Sequence, residues 1–377
     1  MQTNPEPQAA PTPRVLQLFN VFGAPTEQTW FDAVCRLNGN GFDVEVRCEE
    51  RGSLAVGVNI DSEIVDRIHV TPTDDVSGQM QRLADTQPPD VDGALPDLAH
   101  GHFGTRVLHA APYLQRGVSV VISLYGYDAS RLLRDRCWVE RYRWAAERGA
   151  VFVVLADSLR ERLIARGLPA AAVRVVRLGV DPEDWRFDPE PQPKPVRFVF
   201  VGRLSPKKGV AVLLEALARF PDSGLDVVGD GPLRSTLEEL CETLGLQHRV
   251  AFHGQLPRTR IDRYLRRATA LVAPSVVAPD GDEEGTPVVL MEAQALGALC
   301  ITTAHAGNPE VLPPGAQDLV VPEHDVAALA GAMQRVAAFD STERETRQRA
   351  GRAWVEKRYA LPRMVDELAA LYREFID

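Results

Sequence analysis

The stretch VRFVFVGRLSPKKG, Val196 to Gly209, decides how this chain is read. Six residues of almost unbroken β-branched and aromatic character predict a strand buried on both faces. Gly202 ends it, a short polar loop follows, and a helix opens near Lys208 and Gly209. Such a strand needs a parallel sheet with helices on both faces, and the neighbouring sequence supplies one. GVAVLLEALARF, LDVVGD, PLRSTLEELCETLG, VAFHG, RTRIDRYLRRA, TALVAPS, PVVLMEAQALG and LCITTA alternate helix and strand patterns towards the C-terminus. Upstream, RVLQLFN, TEQTWFDAVCRLNGNG, DVEVRCEE, GVSVVISL, AVFVVLAD, SLRERLIARGLP and RVVRLGV do the same. Between the two series, DPEDWRFDPEPQPKP (181–195) holds five prolines in fifteen residues and can continue neither element. The expectation is therefore two doubly wound α/β domains in series, with ligands bound outside the carboxyl ends of their strands.

Composition agrees. The 377 residues divided by about 150 per domain allow two or three domains. At 45% apolar and 25% charged, the chain can bury a true core. Its 42 Lys and Arg against 52 Asp and Glu leave −10, which excludes general affinity for nucleic acid or an anionic membrane, so any basic site must be local. Cys35, Cys48, Cys137, Cys241 and Cys300 are scattered and never in a C-x-x-C spacing, so neither a disulfide framework nor a cysteine zinc site is indicated, and a reducing cytoplasm fits. The opening MQTNPEPQAAPTP, with four prolines and no apolar run, reads as a disordered tail over 1–13. No stretch approaches the roughly 20 apolar residues of a membrane span.

The richest local signal is VVAPDGDEEGTP (276–287) running into PVVLMEAQALG (287–297). Pro287 suits a first helical turn, Gly285 permits close backbone approach, and the free amides around Thr286 to Val288 form an anion site at a helix N-terminus. Glu284 lies before that helix and Glu292 about five residues inside it, roughly 7.5 Å along the axis. A diphosphate there would have a carboxylate on either side, each able to accept from vicinal hydroxyls, which matches a nucleotide sugar. Alternatively, both acids do no more than favour the positive end of a helix dipole. Arg203 and Lys208 sit on one strand-to-helix loop, where a fork and a point charge could hold a diphosphate, or they are ordinary solvated cations. Asp280-Gly281-Asp282 could in principle hold a divalent ion, but solvated loop carboxylates are the simpler reading.

In the order strand-GRLSPKKG, VVGDGP, FHGQLP, APS, EGTPVVLME and AGNPE, the C-terminal half resembles the donor domain of family 4 retaining glycosyltransferases of the GT-B fold. DLAHGHFG, SLYGYDAS, ADSLRERLIARG and RVVRLGVD extend the resemblance upstream, and HGHFG and DGDEEGTPVVLMEA are similar to the bacterial exopolysaccharide branch of the colanic acid and amylovoran kind. The resemblance implies two Rossmann-like domains facing an interdomain cleft. It divides the chain into an acceptor domain over 14–181, a linker over 182–195, a nucleotide-sugar domain over 196–355, and a helix over 356–377 packing back on the first domain. It also implies transfer of a hexosyl group, with retention, from a nucleotide diphosphate sugar to a saccharide or lipid-linked saccharide. The setting would be the cytoplasm or the inner face of a membrane, with no metal or other cofactor. Front-face attack, in which a leaving-phosphate oxygen takes the acceptor's proton, is the mechanism that goes with it.

Carried over by matching motif, Glu292 would bind ribose hydroxyls and Glu284 the donor-sugar hydroxyls, with Gly285, Thr286, Pro287 and Val288 shaping the loop between them. Arg203 and Lys208 would hold the diphosphate and stabilise its charge as it leaves. Backbone at Gly254, Gln255 and Leu256 would contact the base, and Gly229 and Gly231 would line the cleft. On the acceptor side many relatives have a histidine where this chain has Tyr125, which cannot serve as a neutral-pH base. Asp128 is a candidate partner of the acceptor hydroxyl, or a turn or helix cap in YDAS. His100 and His102 share a face of a strand-like run and fit a cleft wall or a structural role. Glu27 could touch acceptor or cap a helix. Transfer to a small metabolite, sugar-nucleotide hydrolysis, or a catalytically silent nucleotide-sugar-binding partner are the rival functions. A nicotinamide oxidoreductase is disfavoured, because no G-x-G-x-x-G follows the first strand.

Overall fold

The computed structural model describes residues 11–22, 28–51, 75–88, 94–188 and 194–376. Glu27, most of the proline-rich tail and residues 189–193 of the proline-rich break lie outside them. Two six-stranded sheets carry the fold. The first takes β1 (Arg14–Phe22), β2 (Asp43–Arg51), β3 (Leu98–His102), β4 (Ser119–Ser123), β5 (Val151–Val154) and β6 (Val173–Val175) in the order β2-β1-β3-β4-β5-β6. The second takes β7 (Val196–Val201), β8 (Ser223–Val228), β9 (Val250–Gly254), β10 (Leu271–Ala273), β11 (Cys300–Thr303) and β12 (Val320–Val321) in the order β12-β11-β10-β7-β8-β9. Every neighbouring pair in the second sheet runs parallel. This is the doubly wound α/β architecture that the strand and helix alternation predicts.

By compactness the chain falls into two units. One comprises residues 1–123, 140–152 and 365–377, the other 124–139 and 153–364. In the second, β7 buries Phe198, Val199 and Phe200 at 2% exposure or less. Helix Val210–Ala218, with Val210, Leu213, Leu214 and Leu217 buried at the 3–4 spacing of an apolar helix face, packs on the neighbouring β8. The strand order reverses direction beside β7, with β8 and β9 on one side and β10 to β12 on the other. Loops leaving the carboxyl ends of β7 and β10 therefore diverge there and open the crevice that α/β sheets use for ligands.

Those loop ends are tightly knit. Gly202 N–H donates to Val228 O at 3.0 Å, Leu204 N–H to Asp230 O at 2.9 Å and Gly229 N–H to Gly254 O at 2.9 Å. Gly229 has φ +133, and a Cβ there would lie 1.9 Å from Gly202 O, a backbone atom that cannot swing away. Gly229→Ala is therefore expected to destabilise the second unit by more than about 1 kcal/mol. A urea midpoint equal to that of the wild type would refute the close approach.

Candidate active site

Ser205, extended, precedes the turn Pro206–Lys208; Gly209 then reverses the backbone at φ +63 and starts helix Val210–Ala218. This places two lysines, not one, at the switch point. Lys208 Nζ donates to Glu284 Oε2 at 2.8 Å, and Lys207 Nζ lies 3.4 Å from Glu284 Oε1 and 3.1 Å from Asp282 Oδ2. Burial alone would push the Glu284 carboxyl up, but Lys208 and Lys207 together hold it below the ordinary glutamate value. Burial pulls the Lys207 ammonium down, and Glu284 and Asp282 more than reverse it. Glu284 and Lys207 are therefore each held in their charged form. The Lys207 contacts escaped sequence reading because two adjacent lysines look alike until the turn fixes their directions.

Arg203 does not join them. It is exposed, and its guanidinium has no hydrogen bond or ion pair among the described residues. Asp280, the first acid of the D-G-D string, pairs instead with Arg131 at 2.7 Å.

The loop from 276 to 287 ends at Pro287, which caps helix Val288–Leu296 from outside, so the helix begins one residue later than expected. First-turn amides of such a helix lack intrahelical partners. At its mouth Thr286 is 7% exposed, and its Oγ1 has no hydrogen-bond partner. Glu292 is half-buried one turn in, with Arg258 Nε 3.8 Å from Oε1. Burial pushes its carboxyl up to about 7, and the nearby Arg258 offsets only part of that. Arg258 itself stacks over the Trp185 ring at 4.3 Å. Two carboxylates spaced about the same helix end are thus shifted in opposite directions, Glu284 down by its lysines and Glu292 up by burial.

Beyond the switch point, Gly254 has φ +68, Gln255 is exposed, and Leu256 is half-buried. A Cβ on Gly231 would stand 2.5 Å from Leu204 O, so the GDGP turn lies directly on the loop after β7.

The segment around Tyr125 closes on the Glu284 loop. A Cβ on Gly126 would be 2.3 Å from Glu283 O, and one on Gly285 would be 3.0 Å from the Tyr125 carbonyl carbon. Glu283 N–H donates to Ser130 Oγ at 3.1 Å, and the Glu283 carboxylate pairs with Arg162 at 2.7 Å. Tyr125 is half-buried beside this contact. Asp128 is fully buried, and its Oδ1 accepts the Tyr125 N–H at 2.7 Å, so it fastens the turn that presents Tyr125.

His100 and His102 lie in the other unit, on β3, and both are fully buried. His100 Nε2 bonds Ser123 Oγ at 2.8 Å and Nδ1 bonds the Tyr372 hydroxyl; His102 Nε2 bonds Gln17 Oε1 at 2.8 Å. Burial lowers His100 to about 3 and His102 well below its ordinary value, so both rings are neutral. Their polar atoms are spent within the core of that unit.

Two further residues complete the second-unit site. His305, following β11, and Glu323, following β12, stand behind the Glu284 loop. The Glu284 N–H donates to His305 Nε2 at 3.0 Å, and His305 Nδ1 bonds Glu323 Oε1 at 2.7 Å.

Comparison with known proteins fits this arrangement. Residues 26–184 match the family model described as Glycosyltransferase Family 4, and residues 181–354 the one described as Glycosyl transferases group 1. The glycosyltransferase WcaL of Escherichia coli (strain K12), named for colanic acid biosynthesis, is 33% identical over 257 residues, covering 66% of this chain and 62% of that protein. The amylovoran biosynthesis glycosyltransferase AmsK of Erwinia amylovora is 34% identical over 183 residues, 47% of this chain and 45% of its own. The matches thus span less than two thirds of the length of these relatives. Among solved structures, Anabaena HepE in complex with UDP and glucose superposes with a TM-score of 0.74 at 18% identity, over 94% of this chain and 98% of that one. At that identity the likeness shows the fold alone.

Proposed function

The chain belongs to the GT-B glycosyltransferases, with a family 4 domain followed by a group 1 domain, and from this we propose that it transfers a sugar from a nucleotide diphosphate sugar to a saccharide acceptor, with retention, in assembly of an exopolysaccharide or similar surface glycan. The observation that carries the reading is the grouping of Lys207, Lys208 and Glu284 at the strand switch point, beside a helix end with a buried unpartnered Thr286 hydroxyl and with Glu292 one turn inside. That a solved protein of the same fold, Anabaena HepE, holds UDP or UDP-glucose supports a nucleotide-sugar donor.

In this reading Glu292 accepts the ribose hydroxyls and Glu284 those of the donor sugar. The diphosphate lies at the amides opening helix Val288–Leu296, with Gly285 and Pro287 setting the turn. Exposed Arg203 and the remaining Lys208 N–H donors hold its oxygens. Breaking the anomeric bond builds negative charge on the diphosphate, and cations already in place stabilise that charge more in the transition state than in the ground state. Gly254, Gln255 and Leu256 offer backbone to the base, beside Gly229 and Gly231. Tyr125 borders the donor-sugar position, oriented by Asp128. A leaving-phosphate oxygen takes the acceptor proton, so no protein nucleophile and no metal is required. The acceptor is a saccharide or a lipid-linked saccharide; no helix among the described residues is long and apolar enough to cross a membrane.

A thermal-shift panel of UDP, GDP, ADP and their sugars tests the proposal, because a ligand of the folded state raises apparent stability. A diphosphate-specific rise is expected, followed by turnover that survives EDTA. No response to any nucleotide diphosphate would overturn the donor assignment, and activity lost to EDTA and restored by Mn²⁺ would overturn the metal-free one.

A further inference from the structure

The loop bearing Glu284 is held at both feet by one carboxylate. Glu323 Oε2 accepts the Val277 N–H at 2.8 Å, where the loop leaves β10. Glu323 Oε1 meets His305 Nδ1 at 2.7 Å, and His305 Nε2 accepts the Glu284 N–H at 3.0 Å, where the loop ends. The sheet order makes this possible, since β10, β11 and β12 are neighbours and each contributes one member from its carboxyl end. Because Nε2 receives a backbone N–H it carries no proton, so the ring proton is on Nδ1 and points to Glu323. His305 is fully buried, which leaves water no access to substitute for either bond.

We propose that Glu323 and His305 are positioning residues for transfer: the carboxylate fixes the histidine tautomer, and that tautomer sets the backbone of Glu284 and so the place of its side chain against the donor sugar. The inference rests on the reading of Glu284 as the donor-sugar ligand. Neither residue touches substrate. The pair acts on the sugar end of the donor and leaves the nucleotide end, held by Glu292 and the helix amides, as it was.

Glu323→Gln is the sharpest variant, because an amide has one oxygen for two N–H groups. Either the Val277 N–H loses its acceptor, or the amide NH₂ donates to Nδ1 and forces the proton onto Nε2, against the Glu284 N–H. The expected result is a fall in kcat of about 10²-fold, as small misplacements of a substrate-holding group produce. The affinity for whichever of UDP and GDP stabilises the wild type should be unchanged by calorimetry. His305→Gln, whose amide oxygen can accept the Glu284 N–H, should retain more turnover than His305→Leu, and this comparison stands if Glu323→Gln does not fold. Wild-type kcat in Glu323→Gln with an inactive Glu284→Gln would overturn this inference alone. Equal losses of nucleotide affinity and kcat would overturn it too, as general loosening. Full activity in Glu284→Gln would overturn both it and the donor-sugar assignment beneath it.

Discussion

Substituting alanine for Lys208 is expected to lower kcat by about 10²–10³-fold, the usual cost of removing one preorganised donor from a developing anion. The ammonium bonds Glu284 with one N–H at 2.8 Å and has two more to offer a diphosphate. In the unreacted donor those contacts meet charge already shared with the helix amides, so binding should weaken less than turnover. The fold should survive, because Lys207, 3.4 Å from the same carboxylate, remains to neutralise Glu284. Lys207→Ala is the matched control: it removes the neighbour that also serves Asp282, and it should cost turnover less. Steady-state kinetics with the nucleotide sugar selected by thermal shift measure both. A Lys208→Ala enzyme with wild-type kcat would remove the leaving-group role.

Nucleotide affinity should depend steeply on pH through Glu292. Its carboxyl is pushed up to about 7 by burial, with Arg258 at 3.8 Å pulling the other way. Accepting two ribose hydroxyls requires the ionised form, so the competent fraction falls as pH drops below 7, and the apparent Kd weakens about tenfold per pH unit there. The unliganded protein should move oppositely. A carboxyl whose folded pKa is raised adds stability below the ordinary glutamate value, and that contribution is lost as pH rises through the folded pKa. Lowering the pH from 7 towards 5 should therefore favour the empty fold by this group while disfavouring the complex. Calorimetric titration of UDP or GDP between pH 5.5 and 8 reads the first effect. Glu292→Gln should flatten the profile and weaken binding at pH 8; a profile unchanged in that variant would assign the titration to another group.

The second sheet was legible because β7 is an apolar run interrupted only by Arg197, and Gly202, Gly209 and Pro287 punctuate the sheet's loops chemically. What the sequence leaves unsaid is lateral. Nothing within TAHAGNPE indicates that His305 faces Glu323 rather than solvent, since the pairing depends on β11 and β12 being adjacent, and β12 has only two residues. Asp128 shows the same limit from the other side. A carboxylate in YDAS suits an acceptor or a turn equally well by pattern, and burial with the Tyr125 N–H decides what it does in this structure. The first sheet is harder to read at β3, whose LAHGH has no β-branched residue. It is held as a strand by β1 and β4 on its flanks and by the bonds His100 and His102 make beneath them.

Those bonds also bear on how the chain is made. Gln17 Nε2 donates to the Tyr372 hydroxyl at 3.1 Å, across 355 residues, and Tyr372 is fully buried. The core begun by the first strand is therefore completed only after residue 372 has left the ribosome, roughly 20–70 s later at synthesis rates of about 5–20 residues per second. Until then His100 and Gln17 lack their common partner, and the first unit must wait as an unfinished sheet; the second unit, which extends to Met364, is itself complete only shortly before.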